Sequence, residues 1–301
     1  MNGPHHIPHP IPYQGSKRLI APFILAHCPR RIGRLVEPFA GSAAVSLAAS
    51  SRQQAQSFWL NDAHAPLIKL WTEILERPDM LANRYARLWQ CQQGCERAYF
   101  AEVRARFNRK HDSADFLYLL ARCVKAAIRY NSAGEFNNTP DNRRLGARPT
   151  EMRHRIEGAA ALLAGRTRLS SHDYKRVLAA CDDGDLIYMD PPYQGVCGDR
   201  DQRYAPKIMH DEFCCQLESL NQRGLMYVVS YDGRTGDKQF GEPLPKELGL
   251  LHLEVRAGRS TQATLLGRSC VTYESLYLSP SLRKVVAKRG KRAEQREFAF
   301  A

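Results

Sequence analysis

The sequence predicts an α/β fold, an open and mostly parallel sheet interrupted by a helical segment. Three observations predict it. The apolar run Leu186-Ile187-Tyr188-Met189 passes directly into Asp190-Pro191-Pro192-Tyr193, the form of a buried strand leaving a sheet at its carboxyl end, where open α/β sheets place their chemistry. A second short apolar strand runs into Val36-Glu37-Pro38-Phe39-Ala40-Gly41-Ser42-Ala43-Ala44-Val45 and opens a helix of small residues. Between them Tyr99, Phe100, Val103 and Phe107, then Phe116, Leu119, Leu120, Cys123, Val124 and Ala127, recur at helical spacing, which gives amphipathic helices with apolar faces.

Taken in order, Met1 to Pro12 is rich in His and Pro and is expected to be an extended polar leader, a simpler reading than a metal site at His5, His6 and His9. The loop around Gly41 lets a ligand approach the backbone at a helix N-terminus, and Glu37 beside it can hold an amine or hydroxyl. It lacks the G-x-G-x-x-G spacing of a dinucleotide fingerprint, so a nicotinamide cofactor is the poorer reading. Ser57 to Asp62 reads as a second strand, with Asp62 roughly 20 residues on, where nucleotide-binding sheets grip ribose hydroxyls; a helix N-cap is the alternative role for Asp62. A helix over 115–129 would place Arg122, Lys125 and Arg129 in one basic stripe. It leads into the polar segment Asn131 to Arg148, which carries Asn137, Asn138, Arg143, Arg144 and Arg148, side-chain types that make bidentate contacts to adenine and guanine edges. The turn at Asp190 suits an exocyclic amine on a planar base: the carboxylate and a proline carbonyl accept N–H bonds, and Tyr193 stacks. An ordinary exit from a strand is the plain alternative. Leu225 to Ser230 is a further strand, and Leu251 to Val255 pairs with Val271 to Leu278.

Composition narrows the class. The 301 residues are 44% hydrophobic, enough for a full core, and no apolar run is long enough to span a membrane. With no charged, apolar leader at the start, the chain is expected in the cytoplasm. Nine cysteines form no C-x-x-C pair and are expected to be buried thiols in a reducing compartment. The formal charge of +13 implies a polyanionic partner, and nucleic acid is favoured because no basic amphipathic helix suits a membrane surface. A basic cluster from Arg283 to Arg292 either reaches phosphates or is a solvated terminus.

Tyr13-Gln14-Gly15-Ser16-Lys17, Glu37 to Ser42, Asn61-Asp62 and Asp190-Pro191-Pro192-Tyr193, in that order, resemble the motif series of the DNA adenine methylase family. The resemblance runs on through Arg129-Tyr130-Asn131, Gly134-Glu135-Phe136-Asn137 and Tyr273 to Pro280, about 280 residues in all. It implies a Rossmann-like, S-adenosylmethionine-dependent fold that methylates N6 of adenine in double-stranded DNA, leaving S-adenosylhomocysteine. It further implies a catalytic clamp at Asp190, Pro191, Pro192 and Tyr193, and a cofactor site at Tyr13, Lys17, Glu37, Phe39, Gly41, Asp62 and Asp173. Lys17 would meet the methionine carboxylate and Asp62 the ribose. The segment after Asn131 would be a DNA-reading hairpin, and the turn between the last two strands would touch DNA phosphates through Arg259 and Ser260. Members that recognise GATC commonly carry arginine between the positions of Asn131 and Gly134, where this chain has Ser132-Ala133. Ala43 replaces the usual second glycine of the loop, with somewhat weaker cofactor binding expected.

The expected organisation is a catalytic domain over 1–65 and 165–282, a helical target-recognition domain over 66–164 with its hairpin at 131–148, and a basic tail over 283–301. The protein is expected to act as a monomer and to need no metal. An N4-cytosine DNA methyltransferase, an RNA base methyltransferase and a DNA-binding relative without catalysis are the alternatives. Phage, restriction-modification and housekeeping settings all suit the sequence.

Overall fold

A computed structural model describes residues 7–126, 128–192, 208–235, 238–240, 242–259 and 271–287. Its helices are α1 Ala21–Ala26, α2 Ala44–Ser51, α3 Ala65–Glu76, α4 Pro78–Cys91, α5 Glu96–Lys110, α6 Ser113–Arg122, α7 Pro149–Leu163, α8 Tyr174–Ala179 and α9 His210–Gln222. The strands are β1 Ile32–Glu37, β2 Ala55–Asn61, β3 Thr167–Ser170, β4 Asp185–Met189, β5 Met226–Thr235, β6 Lys238–Phe240, β7 Leu251–Arg259 and β8 Val271–Leu278. They form one sheet in the order β3-β2-β1-β4-β5-β8-β7, with β6 paired on β5. The pairings from β3 to β5 are parallel, and β8 joins β5 and β7 antiparallel.

The period-two pattern of the strands divides the core between two faces. Leu35, Phe58, Leu186, Tyr188 and Val228 belong to one cluster, which continues through α2 to α7. Val36, Trp59, Ile187, Met189, Tyr227 and Val229 belong to the other, under α8 and α9. Every residue of β4 is buried, as expected of a central strand covered on both faces. Because β1 and β4 are neighbours while the chain winds outward from each in opposite directions, their carboxyl ends flank the switch point of the sheet. Glu37 ends β1, and Asp190 follows β4.

Several expectations are corrected. The helix expected over 115–129 stops at Arg122; Cys123 is extended, and a single 3-10 turn covers Val124–Ala126. Val124 is therefore exposed rather than core. The hairpin turns earlier than expected. Its arms approach at Cys123 with Pro140 and at Tyr130 with Phe136, around a turn closed by the Asn131 N–H on the Glu135 carbonyl. Cys91, Cys95 and Cys215 are exposed, while Cys28, Cys123 and Cys181 are buried. The second half of the leader is packed: Ile11 is in the core, and Pro8 lies so close to Gly158 of α7 that a Cβ there would sit 3.0 Å from it. His5 and His6 lie outside the described residues. Arg283 and Lys284 are exposed on a helix over 280–287, beyond which the tail lies outside the described residues. No helix among the described residues is long and apolar enough to cross a membrane.

Candidate active site

A cavity of about 960 Å³ opens at the switch point, within the size range of small-molecule sites. One wall is the turn from β1 into α2. Gly41 has φ +49, and a Cβ on it would meet the Tyr13 ring at 3.1 Å, so both the backbone and the close approach require glycine. The loop is held from all sides: Ala40 donates to the Asn61 carbonyl, Gly41 N–H to Asp62 Oδ2, Trp71 Nε1 to the Gly41 carbonyl and Asn61 Nδ2 to the Pro38 carbonyl. Ser16 and Ser42 hydroxyls meet at 2.8 Å, tying the Tyr13-to-Lys17 segment to this loop.

Of the cofactor-site candidates, Tyr13, Lys17, Glu37, Phe39, Gly41, Asp62 and Asp173 all line this cavity, together with Asp190, Pro191 and Pro192. Tyr193 and Ser260 lie outside the described residues. Glu37, only 2% exposed, accepts a 2.7 Å hydrogen bond from Ser46 N–H in the first turn of α2, where the helix end favours a carboxylate. Burial nevertheless pushes it up to about 7, with Asp190 adding repulsion. Asp62 accepts from both Gly41 and His64 backbone N–H groups, and burial raises it as well. Asp173 caps α8, accepting from Lys175 N–H. Phe39 packs on Tyr174 at 5.2 Å between ring centroids.

Lys17 places an ammonium between two carboxylates beside the cavity. Its Nζ lies 3.0 Å from Asp190 Oδ1 and 3.4 Å from Glu274 Oε2. Burial raises both carboxyls, and Lys17 pulls each back toward the ionised form. With Asp190 on Lys17 and with Glu37 and Asp62 on the same cavity, the pocket is rich in acceptors and suited to an amine or a cationic ligand.

Sequence reasoning missed Glu274, His64 and Tyr130. Glu274 sits in β8 two residues before core Leu276, so an acid at a core-facing period-two position was the available signal. His64 Nε2 is hydrogen-bonded to the Tyr130 hydroxyl, joining the end of β2 to the hairpin; burial, with His111 nearby, lowers His64 to about 4.

The basic stripe is not formed. Arg122 is buried and donates to the Asp141 and Arg144 carbonyls, because the helix ends there and frees those arms to wrap it. Asn138 is buried, its Oδ1 accepting from Arg129 N–H. Asn131 ties its own turn, accepting from Ala133 and Glu135 N–H. Arg129, Asn137, Arg143 and Arg148 are exposed; Arg144 is exposed and paired with Asp141 at 3.0 Å. Lys125 is in the 3-10 turn, and Arg259 ends β7 opposite Val271.

Ala43 does not face the cavity. It is fully buried in the core at φ 48 and ψ 39, a left-handed residue at the start of α2. The extra methyl therefore strains the backbone and packs into the core rather than lining the cavity.

This fold and site define an α/β protein with an acidic ligand cavity at the switch point of a mostly parallel sheet. A model of the D12 class N6 adenine-specific DNA methyltransferases matches residues 13–255, and the chain belongs to that family. It is 31% identical over 169 residues to a DNA N-6-adenine-methyltransferase of Escherichia phage P1, covering 54% of this chain and 21% of the phage protein. It is 31% identical over 191 residues to the retron Ec67 DNA adenine methylase of Escherichia coli, covering 61% of this chain and 63% of that one. With the DNA adenine methylase of Escherichia coli strain K12 it shares 28% over 187 residues, 60% and 63% of the two chains. The matches thus span less than two thirds of each of these relatives' length.

Proposed function

We propose that this protein transfers a methyl group from S-adenosylmethionine to N6 of an adenine extruded from duplex DNA. The observation that carries the reading is the placement of Asp190, held against Lys17 at 3.0 Å, in the same cavity as Glu37, Gly41 and Asp62. The residues fit this cofactor. Gly41 lets the Tyr13 ring pack against the loop backbone in the cavity wall, buried Glu37 offers an acceptor to an ammonium, and Asp62 offers lone pairs to ribose hydroxyls. When bound, the cofactor supplies an electrophilic methyl on a sulfonium.

The chain's own work is to hold and aim. Adenine N6 is a poor nucleophile because its lone pair is conjugated with the ring. Asp190 and the Pro191 carbonyl accept the two N6 hydrogens and localise that pair, while Tyr193 stacks on the base. Positioning and exclusion of water supply most of the acceleration. The target base must leave the stack to reach the cavity floor. Residues 66–164 form the target-recognition unit in this reading. Exposed Arg129, Asn137, Arg143 and Arg148 reach DNA, while Arg122, Asn131 and Asn138 shape the hairpin that presents them.

The test is incubation with labelled S-adenosylmethionine and unmethylated duplex DNA, followed by digestion to nucleosides. Label in N6-methyladenine is expected. Label in cytosine, or no label despite binding of both ligands, overturns the proposal.

A further inference from the structure

We propose that Glu274 ends a proton path that runs from Asp190 through Lys17 to solvent, which makes it a positioning residue for the transfer step. The inference rests on the reading above, in which Asp190 holds the amine of the target adenine. Its basis is geometric. The Lys17 ammonium stands between two carboxylates, 3.0 Å from Asp190 and 3.4 Å from Glu274, and also donates to the Gly15 carbonyl at 3.3 Å. Asp190 lines the cavity and Glu274 does not, yet 23% of the Glu274 side chain is accessible. In this reading a base seated over Asp190 covers that residue's own 24%, while the Glu274 Oε2 that faces Lys17 is buried and the rest of its side chain keeps its access to solvent.

The transfer leaves a proton to place. As the N6 lone pair forms the N–C bond, the C–S bond breaks with its electron pair on sulfur, and N6 sheds one of its two hydrogens as a proton. Asp190 accepts it. Lys17 then passes a proton to Glu274 and takes the one on Asp190, so the lysine ends as ammonium, Asp190 as carboxylate and Glu274 as the acid. Glu274 releases the proton to water. No other reactant is needed.

The other titratable groups at this cluster are poorer acceptors. Glu37, on β1, is buried and already bound to Ser46 N–H. Tyr188, on β4, donates to the Ser230 hydroxyl at 3.0 Å, and burial among Asp190, Glu274 and Glu37 keeps its hydroxyl protonated. Glu274 alone of the three combines contact with Lys17 and access to water.

Glu274→Gln keeps the shape and removes the acceptor. In single-turnover reactions with cofactor and duplex bound, its transfer rate should fall on the order of 10²-fold and its acid limb should move, while Glu274→Asp recovers most of the rate. Affinities for S-adenosylhomocysteine and for DNA should stay unchanged. In the ligand-free protein, carboxyl NMR should show Asp190 of Glu274→Gln titrating at lower pH, since Lys17 no longer divides its charge. A Glu274→Gln protein with wild-type rate and pH profile overturns the inference. So does a loss that Glu274→Asp fails to rescue or that tracks ligand affinity, since that marks a structural role. If the wild-type protein makes no N6-methyladenine, the functional reading falls first; if it does and Glu274→Gln matches it, only this inference falls.

Discussion

The loop from Pro38 to Ala43 and the hairpin around Asn131 are both irregular segments that line one cavity, and they are held in different ways. The loop hangs between parallel strands, and its backbone groups find partners on β2 and α3 through Asn61, Asp62 and Trp71. Its neighbouring carboxylates are thereby left with spare lone pairs toward the cavity. Among the described residues the hairpin has two isolated bridges and a few backbone bonds between its arms, and side chains complete the rest of its backbone: Arg122 on two carbonyls, Asn131 on two N–H groups and Asn138 on another, while Asn108 of α5 binds both N–H and C=O of Phe136. A segment with so sparse a ladder consumes polar residues internally, because unpaired buried backbone groups are costly. Residue type therefore foretells which side chains line the cavity where a sheet supports the loop, while in the hairpin several polar side chains are taken up by the backbone.

The largest effect expected on the cavity side is that of Asp190→Ala. Transfer should fall by on the order of 10³-fold or more, with DNA affinity retained, as measured by single-turnover methylation beside a binding titration. A variant that keeps substantial activity would remove the cavity side of the comparison altogether.

Glu37 sharpens it through pH. Its folded value, about 7, lies above the ordinary 4.5, so the folded state binds the proton more tightly. Its contribution to stability is then full below about 4.5 and is lost as pH rises through about 7, a difference of roughly 3 kcal/mol. Denaturant unfolding of Glu37→Gln should lack that decline between the two values. Cofactor binding in the wild type should release protons near neutrality if an ammonium pairs with Glu37, which calorimetry in buffers of different ionisation enthalpy reads directly.

Arg122 and Arg143 set the hairpin side against itself. Arg122→Ala should destabilise the protein by about 2 kcal/mol, since it strips the Asp141 and Arg144 carbonyls of a buried donor. Arg143→Ala, at an exposed position, should leave the unfolding midpoint in place and lower DNA affinity with a shallower salt dependence. Equal behaviour of the two variants would mean that the hairpin's polar residues are not divided between scaffold and ligand.

That division explains what was legible. The sheet strands and the apolar faces of α5 and α6 follow from periodicity, which burial enforces, whereas the order of motifs around Glu37, Asp62 and Asp190 was legible only as a family resemblance. The end of α6 at Arg122 was not legible, because Lys125 and Ala127 suit a helix; the competing bonds from Arg122, Val124 and Asn138 to the opposite arm come from residues that only the tertiary fold brings near. Glu274 was hidden for a similar reason. A strand shows which face it buries, but not that Lys17, more than 250 residues earlier in sequence, waits on that face.

The smallest effect tests the loop itself. Ala43 occupies a left-handed conformation that costs an alanine about 1 kcal/mol, and its methyl is buried in the core rather than in the cavity. In Ala43→Gly the relief of strain is opposed by a freer unfolded chain and by the loss of one buried methyl, so the net change in stability should stay within about 1 kcal/mol. Affinity for the cofactor, measured by calorimetry, should change by less than about twofold. A tenfold gain would mean that the methyl reaches the ligand, and the loop would then be shaped by its occupant rather than by the strands and helix that hold it.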